Sequence, residues 1–192
     1  MQFTATVIFN KELTPGYWHM RASAPATFAQ ADPGQFVMVR VSAAIDPLLR
    51  RPLAVLDAFF DMLYHVVGKG TGILAQAAPG SAIEVLGPLG KGFDLGKPDE
   101  EKLLVGGGIG LAPLYLLART LLQQKAETVH VFAGGRSRED VLFFDEFAQL
   151  GAHCHAATND GSFGEKGFVT VPLAQHLDQL KGRAVTIFAC GP

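Results

Sequence analysis

Three aliphatic residues, Leu103-Leu104-Val105, run straight into Gly106-Gly107-Gly108-Ile109-Gly110-Leu111-Ala112-Pro113, and this junction restricts the fold more than any other stretch of the chain. A short buried strand, a glycine turn and a leucine-rich helix make the first half of a βαβ unit, which calls for a parallel sheet covered by helices. Lacking side chains, the glycines let backbone N–H groups approach an anion such as a pyrophosphate, and the helix N-terminus adds partial positive charge. Leu111 stands where the dehydrogenase fingerprint GxGxxG has its third glycine, so the run is not that fingerprint. Pro113 is tolerated, because first-turn N–H groups have no intrahelical partner. A turn serving only close strand–helix packing is the competing reading.

The rhythm that follows is strand, helix, strand, helix. Strands are expected at Lys102 to Val105, Thr128 to Ala133, His153 to Thr158 and Ala184 to Ala189, with helices at Leu111 to Gln124, Asp140 to Leu150 and Val171 to Leu180. Before residue 96 the pattern is different: short apolar or alternating runs separated by glycine and proline, as in an all-β sandwich or barrel. Candidate strands there are Gln2 to Glu12, Trp18 to Ser23, Gln35 to Val41, Pro52 to Phe59, Met62 to Val67 and Ala82 to Leu86, with one short helix at Gly72 to Gln76. The polar segment Asp94 to Glu101 separates the two patterns. The expected architecture is therefore an N-terminal antiparallel β-barrel, residues 1–97, followed by a parallel-sheet α/β domain, residues 98–192.

Composition narrows the function classes. The 192 residues are 48% hydrophobic and 18% charged, with a net charge of -2 and no basic run, so neither nucleic acid nor an anionic membrane surface is an expected partner. No apolar stretch reaches the roughly 18–20 residues of a membrane span, and Met1-Gln2-Phe3-Thr4 lacks a signal-peptide pattern, so the expected location is cytoplasmic. The two cysteines, Cys154 and Cys190, show no metal-ligand spacing; no metal site is expected, and buried thiols are the simpler reading. The sequence stops at Cys190-Gly191-Pro192, directly after an apparent central strand, which suggests a piece of a longer protein.

Two barrel segments look functional. Arg50-Arg51-Pro52-Leu53-Ala54 ends a polar loop and begins a strand, where an arginine fork can reach a phosphate. In Leu63-Tyr64-His65-Val66-Val67-Gly68-Lys69-Gly70-Thr71, an alternating strand enters a glycine turn that is a second potential anion site, with Thr71 placed to cap the next helix. His65 alone reads as a hydrogen-bonded strand residue.

Together with Gly87-Pro88-Leu89-Gly90-Lys91-Gly92-Phe93, Asp145-Glu146-Phe147, Asn159-Asp160-Gly161-Ser162 and Cys190-Gly191-Pro192, these segments resemble the ferredoxin reductase superfamily over nearly the whole chain. Within it, the chain is similar to the electron transfer subunits of bacterial NAD-dependent dihydroorotate dehydrogenases. The resemblance implies a flavin-binding barrel followed by a nicotinamide-binding domain. Arg51, Pro52, Leu53 and Ala54 would lie along FAD; Leu63, Tyr64 and His65 would hold the flavin through backbone groups; Gly70 and Thr71 would take the other side of the pyrophosphate. Gly106, Gly107, Gly108, Ile109 and Gly110 would receive NAD(H), with Cys190, Gly191 and Pro192 facing the nicotinamide.

The implied chemistry is hydride transfer between nicotinamide C4 and FAD N5, with the protein supplying position and electrostatics and no acid, base or nucleophile. In a longer parent chain electrons would pass through a 2Fe-2S cluster to a dihydroorotate dehydrogenase catalytic subunit, in a heterotetramer serving pyrimidine biosynthesis. Two departures stand out: Ala54 replaces the usual serine or threonine, removing a hydroxyl near flavin N5, and no cysteine-rich segment follows Cys190-Gly191-Pro192. Asp160 favours NADH, since a carboxylate accepts ribose hydroxyls and repels a 2′-phosphate, although Arg136 and Arg138 lie near. Two alternatives stay open, a flavin subunit of a hydrogenase or sulfur-reducing complex and a nucleotide-binding module without redox function.

Overall fold

The computed structural model describes residues 1–192 except 27, 29, 30, 43, 44, 58, 59, 125, 127 and 192. The chain divides into two compact units, Met1–Phe93 and Asp94–Pro192.

The first unit is a closed barrel of six strands, β1 (Gln2–Thr14), β2 (Tyr17–Ala22), β3 (Phe36–Arg40), β4 (Arg51–Asp57), β5 (Asp61–His65) and β6 (Ala82–Leu89), in the order β1-β2-β5-β4-β3-β6. All its pairings are antiparallel. Closure depends on β1, whose first half pairs with β6 and whose second half pairs with β2, so the six strands form a ring. Alternate residues point inward: Ala5 and Val7, Val37 and Val39, and Ile83 and Val85 are all buried. Phe3, Phe28 and Phe60 add an edge-to-face aromatic cluster with ring centroids 4.7–5.8 Å apart.

One helix, α1 (Lys69–Ala75), follows β5. It starts three residues before the expected Gly72. Thr71 therefore lies inside its first turn, and its hydroxyl reaches back to accept from the N–H groups of Val67 and Gly68 at 3.1 and 3.4 Å. Asn10 of β1 closes the other end of α1, donating to the carbonyls of Leu74, Ala75 and Ala77 while its Oδ1 accepts from the Tyr64 hydroxyl. The expected end of β4 at Phe59 lies outside the described residues.

The second unit contains β7 (Glu101–Gly107), α2 (Leu111–Gln123), β8 (Val129–Gly135), α3 (Phe144–Gln149), β9 (His153–Thr158), β10 (Glu165–Lys166), α4 (Thr170–Gln179) and β11 (Val185–Cys190). The sheet is wholly parallel, in the order β10-β9-β8-β7-β11. The helix expected from Asp140 begins only at Phe144. Asp140 is held instead by the backbone N–H and guanidinium of Arg136, and Phe143 takes a positive φ of 57°, which breaks any helical continuation. On the α4 face of the sheet, Leu103, Phe132 and Leu180 form a core joined by Val105, Val169, Leu173 and Leu177.

The residues after Phe93 are tied to the second unit by a small polar box. Lys102, only 1% exposed, donates to the Lys97 carbonyl and to Glu100, and Glu100 also accepts from the Thr186 hydroxyl. Phe93, by contrast, lies on Gly34 of the barrel, where a β-carbon would come within 2.8 Å of its ring. The polar segment thus belongs to the α/β unit from Asp94 onward. Among the described residues no helix is long and apolar enough to cross a membrane.

Candidate functional site

In the parallel sheet the chain first winds outward, β7 to β8 to β9, and then returns to place β11 on the other side of β7. This reversal creates a crevice at the carboxyl ends of β7 and β11, the position at which open α/β sheets bind ligands. The residues there are Gly106 to Gly110 on one side and Cys190-Gly191 on the other, with Cys190 in register with Gly106.

The glycines divide into two roles. A β-carbon on Gly106 would come within 2.6 Å of the Leu111 side chain, and one on Gly110 would collide with the Cys190 carbonyl. Gly191, at φ 141°, lies against the backbone of Gly107. Gly106, Gly110 and Gly191 are therefore demanded by the protein's own packing. Leu111, fully buried, fills the space over Gly106, which explains why a leucine can stand where dehydrogenases have glycine. Gly108, at φ 51°, makes the turn between strand and helix; the Leu111 N–H is already taken by the Gly108 and Ile109 carbonyls, so it is the glycine turn itself, rather than the first turn of α2, that has the form of an anion-receiving loop. Burial pushes the Cys190 thiol up, against a smaller opposing effect of the Gly191 backbone, so Cys190 is a neutral packing group and not a thiolate. Pro192 lies outside the described residues.

At the ends of β8 and β9 on the same edge, Asp160 sits in a tight turn. Its Oδ1 accepts from the N–H and hydroxyl of Ser162 at 2.9 and 2.7 Å, contacts that hold its carboxyl below the usual range. Ser162 Oγ in turn accepts from the Arg138 N–H. Both nearby arginines are engaged: Arg136 pairs with Asp140, and the Arg138 guanidinium stacks over Phe163 at 4.1 Å.

In the barrel, strands β4 and β5 part company. They pair at Asp57–Asp61 and Val55–Met62, but beyond that point Arg51 to Ala54 pair only with β3, and Leu63 to His65 only with β2. Two backbone edges therefore face a slot without pairing to each other, and backbone groups in such a place require partners. The side chains of Leu63 and Tyr64 are buried in the barrel, so these two residues offer the slot only their backbone. His65 is held by its ring, stacked on Tyr17 at 4.2 Å. Near the same end, the Arg51 guanidinium rests on Gly70, where a β-carbon would come 2.7 Å from Cζ, and Arg51 Nη1 donates to the Leu49 carbonyl. Positive charge is thereby fixed beside the first turn of α1. Arg50 faces elsewhere, toward Glu84.

A separate cleft of about 570 Å³ is lined by Thr4, Arg40, Ser42, Ile73, Ala77 and Glu84 among others. It lies at the C-terminal half of α1 and includes none of Arg51, Ala54, His65, Gly70 or Thr71, so size alone does not mark the slot.

The family model for the oxidoreductase NAD-binding domain matches residues 104–192. The dihydroorotate dehydrogenase B (NAD(+)) electron transfer subunit of Desulforamulus reducens is 40% identical over 99% of this chain and 73% of its own length. This chain belongs to that family. A second electron transfer subunit, from Geobacillus kaustophilus, is 44% identical over 83% of this chain and 63% of its own length. Among solved structures, an NADH-dependent reduced ferredoxin–NADP oxidoreductase, described in connection with flavin-based electron bifurcation, superimposes with a TM-score of 0.80 at 30% identity, over 98% of this chain and 67% of that one.

In this electron transfer subunit family member, most residues given weight by sequence motifs fall into two places, the β7/β11 crevice and the β4/β5 slot, while Asp160 lies in the turn after β9. Sequence reasoning missed Asn10, which braces α1 and Tyr64, and the packing role of Leu111 against the glycine run. The carbonyls of Leu74, Ala75 and Ala77 that Asn10 satisfies, at and just past the end of α1, have no local sequence signature. Leu111 was legible as a departure, but its cause lay in Gly106.

Proposed function

We infer that this chain moves electrons between NAD(H) and FAD as the electron transfer subunit of a dihydroorotate dehydrogenase. The observation that carries this reading is the slot between Arg51–Ala54 and Leu63–His65, two backbone edges left for a planar, hydrogen-bonding group, with a fixed arginine and a helix N-terminus at its end. The Desulforamulus relative is named an electron transfer subunit of dihydroorotate dehydrogenase B (NAD(+)), which supports a dihydroorotate-oxidising catalytic subunit as the partner; a heterotetramer serving pyrimidine biosynthesis in the cytoplasm belongs to the same reading.

The flavin and nicotinamide supply the redox chemistry, hydride exchange with each other and electron release onward. The chain supplies position. Arg51 and the first turn of α1, beside Gly70 and Thr71, neutralise the FAD pyrophosphate. The backbone of Pro52 to Ala54 and of Leu63 to His65 holds the ring edge, and at Ala54 only the main-chain N–H is available. Gly107 to Ile109 receive the NAD pyrophosphate, Cys190-Gly191 shape the nicotinamide side, and Asp160 takes ribose hydroxyls. A 2Fe-2S cluster is part of this reading only for a longer parent chain, since Cys154 and Cys190 cannot supply four thiolates.

The test is reconstitution of the cluster-bearing full-length parent of this chain with a dihydroorotate-oxidising subunit. Dihydroorotate should then reduce NAD+ in a reaction that requires this chain. Failure, with NADH still reducing the flavin of this chain, would move the assignment to a hydrogenase or sulfur-reducing partner.

A further inference from the structure

Three histidines from three separate elements meet at the N-terminal end of the parallel sheet, opposite the nucleotide edge. His130 is the second residue of β8, His155 the third of β9, and His176 lies in the last turn of α4. One ring nitrogen of each lies within 4.8 Å of the other two, and all three side chains are partly buried.

The geometry has more detail than proximity. His130 Nδ1 and His155 Nε2 are 3.2 Å apart. Nitrogen ligands at about 2.0–2.1 Å from a tetrahedral zinc ion stand roughly 3.3–3.4 Å from each other, so this pair already spans one edge of a coordination tetrahedron. The other ring nitrogen of His130, Nε2, faces Oε2 of Glu101 at 3.7 Å. Metal-bound imidazoles commonly present their remaining N–H to a carboxylate, which fixes tautomer and orientation. Glu101 is 4% exposed and anchored through Oε1 to Arg183 at 2.6 Å, so its second oxygen is held toward the histidine. Phe132 lies parallel to the His155 ring at 4.5 Å and sets its plane. Two buried atoms of this cluster, Nε2 of His176 and Oε2 of Glu101, have no hydrogen-bond partner, and orphaned polar atoms in a packed site call for one.

We propose that His130, His155 and His176 bind a divalent transition-metal ion of the zinc class, with Glu101 orienting His130 and solvent completing the coordination. Imidazole donors suit zinc, cobalt, nickel and copper better than magnesium or calcium. Because the three rings come from two strands and a helix, the ion clamps the end of α4 onto the sheet. The site departs from the expectation of no metal ligand, which considered only cysteine spacing, and it is independent of the electron-transfer reading.

The experiment uses the full chain without an affinity tag, stripped by chelator and titrated with Zn2+ by calorimetry and with Co2+ by visible absorption. One equivalent of Zn2+ should bind, Co2+ should give the intense bands of four-coordination, and Zn2+ should raise the melting temperature in a way that chelator reverses. H155Q and H176Q should each weaken binding by at least about tenfold, and E101Q by about 10- to 100-fold, with unchanged far-ultraviolet circular dichroism. H153Q, altering the exposed histidine at the start of β9, should bind as the unaltered chain does. Should a variant fail to fold, the cobalt spectrum and reversible melting shift of the unaltered chain still decide the matter. No zinc binding at micromolar concentration, a six-coordinate cobalt spectrum, or equal binding by H155Q and H176Q would overturn the proposal and leave the cluster a stacked, hydrogen-bonded histidine pair beside His176.

Discussion

A β-carbon on Gly110 would collide with the backbone carbonyl of Cys190, so the glycine turn and the end of β11 are built in main-chain contact. Gly110→Ala forces the two apart. Overpacking of this kind costs about 1–3 kcal/mol, and the variant should melt at a lower temperature. Reduction of bound FAD by NADH should slow in the variant while FAD content stays the same. Equal melting and reduction rates would show that the contact is dispensable.

Arg51 and Gly70 form the corresponding pair in the barrel. Arg51→Gln removes the fixed charge, and the loss of charge-assisted hydrogen bonds worth about 1.5–3 kcal/mol should weaken FAD binding roughly 10- to 100-fold. Gly70→Ala should produce a loss in the same direction by pushing the guanidinium aside. Flavin fluorescence quenching measures both, and unaltered affinity in both variants would remove Arg51 from the site.

Asp160 should make NADH the preferred donor. Its carboxylate is exposed, ionised and fixed by Ser162, whereas Arg136 and Arg138 are already engaged. Asp160→Ser should raise the relative efficiency with NADPH by roughly tenfold through loss of like-charge repulsion. Stopped-flow reduction with each nucleotide is the measurement, and an unchanged ratio would exclude Asp160 from discrimination.

Asp61 gives the barrel a dependence on pH. Burial alone raises its carboxyl, but the Arg21 guanidinium, donating at 2.6 Å to each oxygen, with the His19 ring 3.6 Å away, brings it below the ordinary range. A carboxyl lowered in the folded state contributes stability that is complete above its unfolded value of about 3.9 and lost as pH falls through the folded value. Urea unfolding should therefore show full stability near neutrality and a decline below about pH 4. Asp61→Asn should cost about 1–3 kcal/mol at neutral pH and flatten that decline.

Much of the fold was legible because period and punctuation carry it. Alternation marks the barrel strands, and the run Leu103 to Gly110 marks the first βαβ crossover; β9 lies at His153–Thr158, where the sequence placed it. The early start of α1 and the late start of α3 were not legible. Thr71 caps from inside its helix, and the Asp140 carboxylate binds Arg136 before any helix forms, choices made by side-chain bonding that propensity does not register.

Of the sites, the glycine run and Cys190-Gly191 were visible as motifs, and the structure shows why they belong together, since β11 returns beside β7. The slot between β4 and β5 was hidden, because it depends on a register that stops at Val55–Met62. The histidine cluster was equally hidden. His130 and His155 are 25 residues apart and only the parallel pairing of β8 with β9 joins them.

The central claim is that this chain holds FAD and reduces it with NADH, and anaerobic titration of the FAD-loaded chain with NADH tests it most directly. The visible flavin absorbance should bleach with close to one equivalent of NADH and return on admission of air. Retained yellow colour at excess NADH, or no FAD bound at all, would contradict the account.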